Sequence, residues 1–429
     1  MKVWMFVFNN CKYDARVLRE AKTLAEDGHD VKIAAILDQD TEPAEERDGF
    51  RIIRVNRLPI DVSAAHNEGK HISPDNNTTA ILFRLFYQPL RRRIHLAYFW
   101  AKNNLHGLLR IPLIVIYRSL SFFKYYRNSW ELVRKEPADV YHCHDLDTLF
   151  LGYIAKRRHG GKLVYDVHEL TTELAYIPHY EKPVWRVLEQ FMIKRADAVI
   201  ATGRYREEYL SKKYGIPSPT EILNCPLVSS EPYPDNSLRK ELGLLDSSVP
   251  IILYAGGYSH GRGLQNLVRA VPYLTRGVVV LMGWGALEQK LRNMVREKGL
   301  ERKVLFLKPV PPDKLVRYIA SATLGVVIYQ FTSLNNYYAT PNKLYEYINA
   351  GLPVVSSNFP ALKEIIEGYE FGKTFDPEEP QSIAAAINWI LADEQRYTRM
   401  RKKALEAAST FTWEREAIKL RELYQGLSQ

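Results

Sequence analysis

The chain is poor in cysteine, and the few cysteines it has are not arranged in pairs. Its 429 residues include only Cys11, Cys143 and Cys225, an odd number at wide spacings. Small secreted domains held by disulfides carry many cysteines in even numbers, and structural zinc sites carry closely spaced pairs. Both classes are therefore disfavoured, and a reduced, cytoplasmic compartment is expected.

Long apolar runs and low-complexity segments are also missing. The longest apolar run in the most basic segment covers residues 111–117, far fewer than the ~20 residues of a membrane-spanning helix. Residues 1–8 are apolar, but Asn9 and Asn10 follow too soon for a signal peptide, so we predict a buried first strand. The 46% hydrophobic and 25% charged residues are typical of a folded protein, and the length favours two domains.

Positive charge is confined to one segment of the chain. The formal net charge is +10, and residues 81–135 hold eleven lysines and arginines against the single acidic residue Glu131, which accounts for all of it. The same segment is rich in aromatic residues, namely Phe83, Phe86, Tyr87, Tyr98, Phe99, Trp100, Phe122, Phe123, Tyr125, Tyr126 and Trp130. Cationic and aromatic residues in amphipathic segments are typical of a surface that binds anionic membranes.

A helical spacing of apolar residues runs through the later part of this segment. It passes through Leu109, Leu113, Ile116, Leu120, Phe123, Trp130 and Val133. These residues would form one face of a helix, which either lies on the inner surface of the cell membrane or packs on the protein core with solvated arginines. Nucleic acid is not an expected partner, because the charge is confined to one insertion without a recognisable nucleic-acid-binding module.

Apolar strands and helices alternate along the first half of the chain. A helix is predicted over residues 15–27, with Asp14 as its N-cap and Gly28 at its end. The predicted strands cover residues 3–8, 31–36, 139–144, 162–167 and 198–202. Apolar strands that are buried on both faces are typical of a parallel sheet, so we predict a doubly wound α/β domain.

The second half repeats this alternation after a polar, proline-rich connection at residues 229–248. Its predicted strands cover residues 251–255, 278–282, 304–307, 325–329 and 353–356, and an amphipathic helix follows at 412–427. We therefore predict two Rossmann-like domains that face each other across a cleft, where ligands bind at the carboxyl ends of the strands. The predicted limits are 1–230 with a basic aromatic insertion at about 60–135, then 245–405, and a final helix over 406–429 that packs back toward the first domain.

A glycine-rich loop at residues 256–263 follows a predicted strand and precedes a helix. Gly256 and Gly257 let the backbone approach a phosphate, and Arg262 adds a positive charge that can bind a diphosphate through two donors. The loop lacks the Gly-Lys-Ser/Thr of a P-loop and the strict spacing of a dinucleotide-binding motif. A tight strand-to-helix turn without a ligand is the alternative.

Residues 335–347 form a second polar loop, which enters a helix at Pro341 or Asn342. Lys343 then lies in the first helical turn and Glu346 one turn later. The helix start can face a diphosphate, and the Glu346 carboxylate suits a pair of ribose hydroxyls. Alternatively, Glu346 is a charge on the helix surface.

Acidic and histidine side chains cluster at the ends of two predicted strands in the first half. They are His142, His144, Asp145 and Asp147 after one strand, and Asp166, His168 and Glu169 after the other. These residue types can bind zinc, but no cysteine or histidine spacing supports a closed zinc site. We predict no metal and no other cofactor.

Several of these motifs together resemble the family 4 glycosyltransferases. They are residues 14–21, 138–147 and 165–169, the loop at 256–263, and residues 341–347 continued by 351–355. The similarity runs through both halves in order, and the insertion from about 59 to 133 lies outside it. The resemblance implies a GT-B fold, a nucleotide-diphosphate-sugar donor held mainly by the second domain, and transfer with retained anomeric configuration and without a metal.

The resemblance also implies roles for individual residues. His144 matches the histidine beside the sugar and the acceptor, Arg262 the basic residue on the diphosphate, and Glu346 the carboxylate on the ribose. Residues 308–310 would frame the base. The departing diphosphate is thought to help deprotonate the acceptor, so no protein nucleophile is needed. Residues 145–147 have the Asp-x-Asp form that holds a metal in the other large glycosyltransferase fold, but the mixed sheet of that fold is not predicted here.

The sequence departs from the family pattern at two positions. Gly257 stands where the family commonly has an arginine, and Tyr338 stands where it commonly has a glutamate that contacts the sugar. We expect Lys343 to supply the missing positive charge on the diphosphate. Thr340 or Asn342 would take over the contacts with the sugar.

The remaining candidate residues belong to the acceptor side, and they are Asn9, Asn10, Asp14, Asp145, His168 and Glu169. The sequence thus predicts an enzyme that moves a sugar to a glycan, lipid-linked or other hydroxyl acceptor, in cell-surface polysaccharide or glycolipid assembly. An anionic membrane surface would be a partner through residues 81–135. The alternative is a non-catalytic GT-B protein that binds a nucleotide sugar or an anionic lipid, as the changes at Gly257 and Tyr338 suggest.

Overall fold

The computed structural model describes residues 1–57, 110–227, 236–245 and 248–429. The first part of the predicted basic insertion and part of the predicted connection at 229–248 lie outside the described residues. The chain divides into two compact units. The first unit comprises Met1–Tyr165 with Arg195–Asp197, and the second comprises Asp166–Lys194 with Ala198–Gln429.

The first unit is built around a mainly parallel sheet. Its strands are β1 (Lys2–Phe6), β2 (Asp30–Ile36), β3 (Ala44–Arg47), β4 (Phe50–Val55), β5 (Val140–His144) and β6 (Lys162–Val167), the last two residues of β6 belonging to the second unit. They are ordered β3-β4-β2-β1-β5-β6. Strand β1 pairs in parallel with β2 and β5, β2 pairs in parallel with β4, and only β3 runs antiparallel to its neighbour β4 among the pairs described.

The helices of this unit are α1 (Ala15–Glu26), α2 (Arg110–Lys135) and α3 (Leu146–His159). The Asp14 carboxylate accepts a hydrogen bond from the Val17 amide at 3.3 Å, so this residue caps α1 as predicted. Gly28, with φ of +81°, lies just beyond the end of the helix. Both predicted ends of α1 are therefore confirmed to within a residue.

Helix α2 packs on the core through a different face from the one predicted. Its buried residues follow a four-residue spacing, namely Ser121, Tyr125, Ser129 and Val133. The Tyr125 hydroxyl donates to the carbonyl oxygens of Val7 at 3.2 Å and Ala34 at 3.0 Å. Most of the side chains that join α2 to the core therefore carry a hydroxyl group. A sequence pattern of large apolar residues does not identify this face of the helix.

The prediction that these apolar residues form one face of α2 is wrong. Ile116, Leu120 and Phe123 are 55%, 45% and 65% exposed, whereas Val133 is fully buried. At about 3.6 residues per turn, the interval from Ile116 to Val133 leaves the two residues about 100° apart around the helix. The side chains of Leu109 and Leu113 lie outside the described residues.

The second unit contains a six-stranded parallel sheet. Its strands are β9 (Ile251–Ala255), β10 (Val278–Met282), β11 (Val304–Leu307), β12 (Leu324–Val327), β13 (Val354–Ser357) and β14 (Gly372–Phe375), and the unit also includes the parallel pair β7 (Ala198–Ala201) and β8 (Thr220–Glu221). The six strands are ordered β11-β10-β9-β12-β13-β14. Alternate residues of β9 belong to two separate buried clusters, Leu253 to one and Ile252 to the other, so the sheet has a core on both faces.

Helices follow most of these strands. They are α4 (Lys182–Ile193), α5 (Arg204–Tyr214), α6 (Ser237–Glu241), α7 (Leu264–Ala270), α8 (Glu288–Glu297), α9 (Pro312–Ala320), α10 (Leu334–Tyr337), α11 (Asn342–Asn349), α12 (Pro360–Gly368), α13 (Pro380–Leu391), α14 (Glu394–Ala408) and α15 (Trp413–Leu427), with short 3₁₀ turns at Thr171–Glu173 and Val271–Tyr273. None of the helices within the described ranges is long and apolar enough to cross a membrane.

The C-terminal helix α15 lies against residues that precede the predicted connection. Thr412 caps it, and the Trp413 amide donates to the Pro226 carbonyl at 2.9 Å. The buried Glu416 carboxylate accepts from the Leu223 amide at 2.8 Å. The predicted domain limits themselves stay predictions.

Candidate functional site

The glycine-rich loop between β9 and α7 carries Arg262 and lies beside Lys343 of α11. Gly256 has a φ of +141°, a conformation that favours glycine. A Cβ atom at this position would lie 2.8 Å from the Lys343 Nζ. The backbone conformation therefore favours glycine here, and any larger residue would also have to displace the Lys343 ammonium group.

Lys343 is buried in the first turn of α11, as predicted for its place in the helix. Its Nζ lies 3.7 Å from the centroid of the Tyr254 ring. Burial, followed by the positive charge of Arg262, holds the pKa of Lys343 well below its usual range, and Glu346 opposes this shift. No carboxylate of the described residues lies within 4.0 Å of this ammonium group. A bound anion would favour the charged form of Lys343.

Arg262, in the glycine-rich loop, is the second cation of the site. Its guanidinium lies 4.3 Å from the centroid of the Tyr329 ring, the geometry of a cation–π contact. Across the described parts of the chain, no carboxylate comes within ion-pairing distance of it. Both cations thus lie against tyrosine faces, which leaves their charge available to a ligand.

A tyrosine hydroxyl fixes α11 to the end of strand β9. The Tyr347 hydroxyl accepts from the Ala255 amide at 2.9 Å and donates to the Leu253 carbonyl at 3.1 Å. Gly325 makes room for the ring, because a Cβ there would lie 2.4 Å from a Tyr347 ring carbon. This contact sets the register of Lys343 against the glycine-rich loop. Glu346 is half-buried one turn after Lys343, as expected.

The other predicted donor residues have defined places, and their contacts with a sugar stay predictions. The Thr340 hydroxyl donates to the Thr202 carbonyl at 2.9 Å, and the Asn342 side-chain oxygen accepts from the Asn224 amide group at 2.8 Å. Tyr338 stacks on Tyr205 with ring centroids 5.9 Å apart.

Gly257 is exposed, and a side chain could be accommodated there. Its φ does not lie in the glycine region, and the nearest atom to an added Cβ is the Trp284 carbonyl oxygen at 3.9 Å. The Tyr254 hydroxyl donates to the Gly257 carbonyl at 2.9 Å. Residues 308–310, predicted to frame a base, directly follow β11.

In the first unit, His144 ends strand β5 in a buried row of charged and imidazole side chains. His144 stacks on His142 with ring centroids 4.5 Å apart. The His142 Nε2 lies 3.6 Å from a Glu20 carboxylate oxygen, and the other Glu20 oxygen lies 3.0 Å from the Arg16 Nε. Arg16 and Glu20 therefore form an ion pair beside the two imidazole rings, and the whole row is almost completely buried.

Three members of this row offer donor atoms of the types that metals bind. The ligand atoms of Glu20, His142 and His144 lie within 4.8 Å of one another. Imidazole and carboxylate suit zinc, but the Arg16 guanidinium is already paired with Glu20. The prediction that this protein uses no metal stays a prediction.

The loop at Asn9–Asp14 is held by its own side chains. The Asn9 amide group donates to the Asp14 carboxylate at 2.8 Å, and its oxygen accepts from the Cys11 amide at 2.7 Å. The Asn10 oxygen accepts from the Lys12 amide at 3.2 Å.

Three further acceptor-side candidates follow strand ends. Asp145 has a φ of +62° at the start of α3. In the second unit, the His168 Nε2 lies 2.9 Å from an Asp166 carboxylate oxygen, and Glu169 accepts from the Tyr176 hydroxyl at 3.4 Å. Whether these residues bind an acceptor stays a prediction.

Comparison with known families agrees with this arrangement. The family model described as "Glycosyl transferases group 1" matches residues 238–407, and the model described as "Glycosyl transferase 4-like domain" matches residues 13–225. The chain belongs to the family 4 glycosyltransferases of the GT-B type. The predicted family is thereby confirmed, and so is the prediction that the chain is a glycosyltransferase.

Individual relatives are similar over most of their length. D-inositol 3-phosphate glycosyltransferase of Corynebacterium glutamicum (strain R) is 25% identical over 309 residues, which are 68% of this chain and 72% of the relative. Sucrose-phosphate synthase from Thermosynechococcus elongatus superimposes with a TM-score of 0.75 at 18% identity, covering 100% of this chain and 99% of that one. Anabaena HepE in complex with UDP and glucose gives a TM-score of 0.66 at 17% identity, covering 99% and 100%. These solved structures confirm the fold class of two Rossmann-like α/β domains.

Several residues that shape the candidate sites of this glycosyltransferase were not predicted from the sequence. Tyr254 and Tyr329 support the two cations, and Arg16 and Glu20 continue the buried row of His144. Tyr254 and Tyr329 lie at or just after the ends of β9 and β12, where the sequence does not distinguish an aromatic residue that faces a ligand from one in the core. The pairing of Glu20 with His142 joins distant parts of the chain and has no local signal.

Proposed function

We propose that this glycosyltransferase binds a nucleotide-diphosphate sugar through Arg262, Lys343 and Glu346 and transfers the sugar to a hydroxyl acceptor. The observation that carries the proposal is the pair of cations without carboxylate partners in the described residues, one of them buried. Like charges held close together are costly for the fold unless an anion joins them. A diphosphate supplies that anion, and it can accept several charge-assisted hydrogen bonds.

Glu346 supports the assignment of the ligand as a nucleotide. A half-buried carboxylate one turn after Lys343 can accept hydrogen bonds from both hydroxyls of a ribose. HepE, which shares the fold, was solved with UDP and with glucose. A UDP-sugar is therefore the first donor to test.

The proposed reaction retains the anomeric configuration and uses neither a protein nucleophile nor a metal. The bond from the anomeric carbon to the diphosphate oxygen breaks, and its electron pair leaves with the diphosphate. The acceptor oxygen bonds to the anomeric carbon on the same face, and its proton passes to a phosphate oxygen of the leaving group. His144 is the residue we propose beside the reacting sugar.

The proposed acceptor is a glycan or a lipid-linked hydroxyl compound at the inner face of the cell membrane, in the assembly of cell-surface glycans. The exposed row of Ile116, Leu120 and Phe123 on α2 supports a membrane contact. The exposed Arg127 lies on the same side of this helix as the apolar row and would face anionic headgroups. The Corynebacterium relative is named for an inositol phosphate acceptor, so phosphorylated acceptors belong in the test panel.

The donor proposal is tested by incubating the full chain with UDP-, GDP- and dTDP-sugars and measuring nucleotide release. We expect Arg262→Ala to lower kcat/KM by about 10- to 100-fold, the value of one or two charge-assisted hydrogen bonds. Arg292→Ala is the matched control, because Arg292 also lies 4.3 Å over an aromatic ring, that of Phe306, but is paired with Glu288 at 2.9 Å. Equal losses in both variants would contradict the assignment, and binding without any release would favour the non-catalytic alternative.

The membrane proposal is tested by sedimenting the protein with phosphatidylcholine vesicles that contain or lack phosphatidylglycerol. We expect binding only with the anionic lipid, and we expect Phe123→Asp to weaken it without lowering nucleotide release. Sedimentation that does not depend on lipid charge would overturn the proposal.

A further inference from the structure

A cavity of about 330 Å³ lies in the second unit between helix α5 and residue Tyr338, apart from the two cations that we assign to the diphosphate. It is lined by Tyr205, Glu208, Tyr209, Lys212, Lys213 and Tyr338. This volume falls at the lower end of the range of small-molecule sites, which is about 300–1,000 Å³. The cavity is thus of a size to hold a small ligand.

Three tyrosine rings form the aromatic wall of the cavity. Tyr205 and Tyr209 are one turn apart on α5, and both contact the ring of Tyr338. The Tyr205 and Tyr338 rings are nearly parallel, with centroids 5.9 Å apart and 12° between their planes. The Tyr209 ring is tilted by 47° to that of Tyr338 at 6.1 Å. The wall is therefore faceted, with ring faces in more than one orientation.

One of the three phenol hydroxyls is held by a carboxylate. The Tyr205 hydroxyl donates to Glu364 at 2.9 Å, and the Lys213 ammonium lies 5.0 Å from the centroid of the Tyr209 ring. These contacts restrict the orientation of both rings. The Tyr338 hydroxyl has no hydrogen-bond partner among the residues that the structure describes, so it can serve a ligand.

The charges around the cavity compensate one another. Lys213 pairs with Glu173 at 2.9 Å, and Lys212 lies 3.7 Å from Glu208. Aromatic faces with balanced charge favour a ligand with an apolar face and hydroxyl groups over a strongly anionic ligand. A neutral sugar ring has this character, since its C–H groups pack on an aromatic face while its hydroxyls reach polar groups.

The cavity is connected to the proposed donor site through a short stretch of chain. Tyr338 precedes Lys343 by five residues, and a fully extended chain of that length spans at most about 18 Å. A sugar bound in the cavity would therefore lie within the reach of a short glycan from the diphosphate.

We infer that this tyrosine-lined cavity binds a neutral sugar ring of the acceptor glycan. The inference rests on the proposed function for the identity of the acceptor, but sugar binding in the cavity can be measured without turnover. The tyrosine rings of the wall supply the stacking surface, and the Tyr338 hydroxyl supplies one hydrogen bond. Lys212 and Glu208 reach the outer hydroxyls.

The binding test uses saturation-transfer NMR with octyl β-D-glucoside, octyl β-D-galactoside and octyl β-D-glucuronide as probes of the full chain. We expect transfer to the ring protons of the two neutral probes and at least severalfold less to the glucuronide. Tyr209→Ala and Tyr338→Ala should abolish the signal, whereas Tyr338→Phe should keep most of it. Tyr273→Ala is the control, because Tyr273 is half exposed and does not line the cavity.

The outcomes separate this inference from the donor proposal. UDP binding by calorimetry should be the same in Tyr209→Ala as in the unchanged protein. Loss of UDP affinity in Tyr209→Ala would assign the cavity to the donor and overturn the inference, and so would an absence of saturation transfer to all three probes. If no sugar nucleotide is hydrolysed but the neutral probes bind through Tyr209, the donor proposal fails and the sugar site stands. Circular dichroism and thermal unfolding of each variant identify any loss of fold.

Discussion

Two groups of charged side chains, one in each unit, are arranged in opposite ways. In the second unit, Arg262 and Lys343 lie against tyrosine rings and oppose each other's charge. In the first unit, Arg16, Glu20 and His142 alternate in sign or can do so, and each is almost completely buried. The cations of the second unit thus need an anion from a ligand to neutralise them, whereas the charged residues of the first unit neutralise one another.

This difference separates residues that bind from residues that hold the fold. Removing one member of an internally paired row leaves a buried charge without compensation, which destabilises the protein. Removing one of two like charges relieves repulsion, so it weakens ligand binding and not the fold. Variants of each group should therefore show opposite effects on stability and on affinity.

The largest effect is expected from Arg16→Met in the first unit. This change leaves the buried Glu20 carboxylate without its guanidinium partner and should lower the free energy of unfolding by roughly 3–5 kcal/mol. Urea unfolding followed by circular dichroism measures it. The double variant Arg16→Met with Glu20→Leu should recover much of the loss, and an Arg16→Met protein as stable as the unchanged one would break the comparison.

The next effect is expected from Lys343→Met in the second unit. The methionine keeps most of the side-chain volume but loses the charge, so UDP affinity should fall by about 10- to 100-fold while the free energy of unfolding stays equal or rises. Calorimetry and urea unfolding test both halves of this expectation. Lys373→Met serves as control, because Lys373 also lies over an aromatic ring, that of Trp389, at 5.4 Å. Destabilisation by Lys343→Met without loss of UDP affinity would reverse the roles of the two groups.

A pH dependence of intermediate size should distinguish the unchanged protein from Lys343→Met. The pKa of Lys343 in the folded protein is lowered well below its usual value of 10.5, which applies in the unfolded chain. At any pH between the folded and the unfolded pKa, the unfolded chain therefore binds more protons than the folded protein does. Stability should therefore rise with pH across this window, by at most about 1.4 kcal/mol per pH unit from this group. UDP affinity should fall over the same window, because the diphosphate favours the ammonium form. If stability and UDP affinity depend on pH in the same way in the unchanged protein and in Lys343→Met, Lys343 is not the group that titrates.

The smallest effect is expected from Gly257→Arg. The position is exposed with open space around an added Cβ, and an arginine there would add a third cation near the other two. UDP affinity should increase by about 3- to 10-fold, with little change in stability. Gly368→Arg is the matched control, since Gly368 is also exposed, has open space around an added Cβ and lies at the end of α12, outside the glycine-rich loop. An increase of the same size in both variants would reflect net charge only.

Much of the fold could be predicted from the sequence because buried parallel strands are short apolar runs with clear ends. The predicted limits of β6, β9, β10 and β11 agree with the structure. The hairpin of β3 with β4 and the edge strand β14 were not predicted. Strand β3 is largely exposed and has the sequence Ala-Glu-Glu-Arg, and β14 is only four residues long.

The site was predicted in part, for a related reason. Arg262 lies in a glycine-rich loop, and Lys343 and Glu346 lie in a helix that directly follows a polar loop, so the type and place of these candidate residues were visible in the sequence. Tyr254 and Tyr329 were not, because an aromatic residue near the end of a buried strand is indistinguishable in sequence from a core residue. The core-facing side of α2 was missed since serines and a tyrosine hydroxyl form it.

The hydroxyl of Tyr347 has a consequence for anyone who wishes to alter this enzyme. It links the backbone at the end of β9 to α11 through two hydrogen bonds. The strand end and the helix must therefore shift together if either shifts. Changes of donor preference are therefore best sought at solvent-facing positions such as Gly257, where new side chains leave that joint intact. Libraries that randomise Tyr347 or Gly325 would return mostly misfolded proteins, so these two residues are better kept constant.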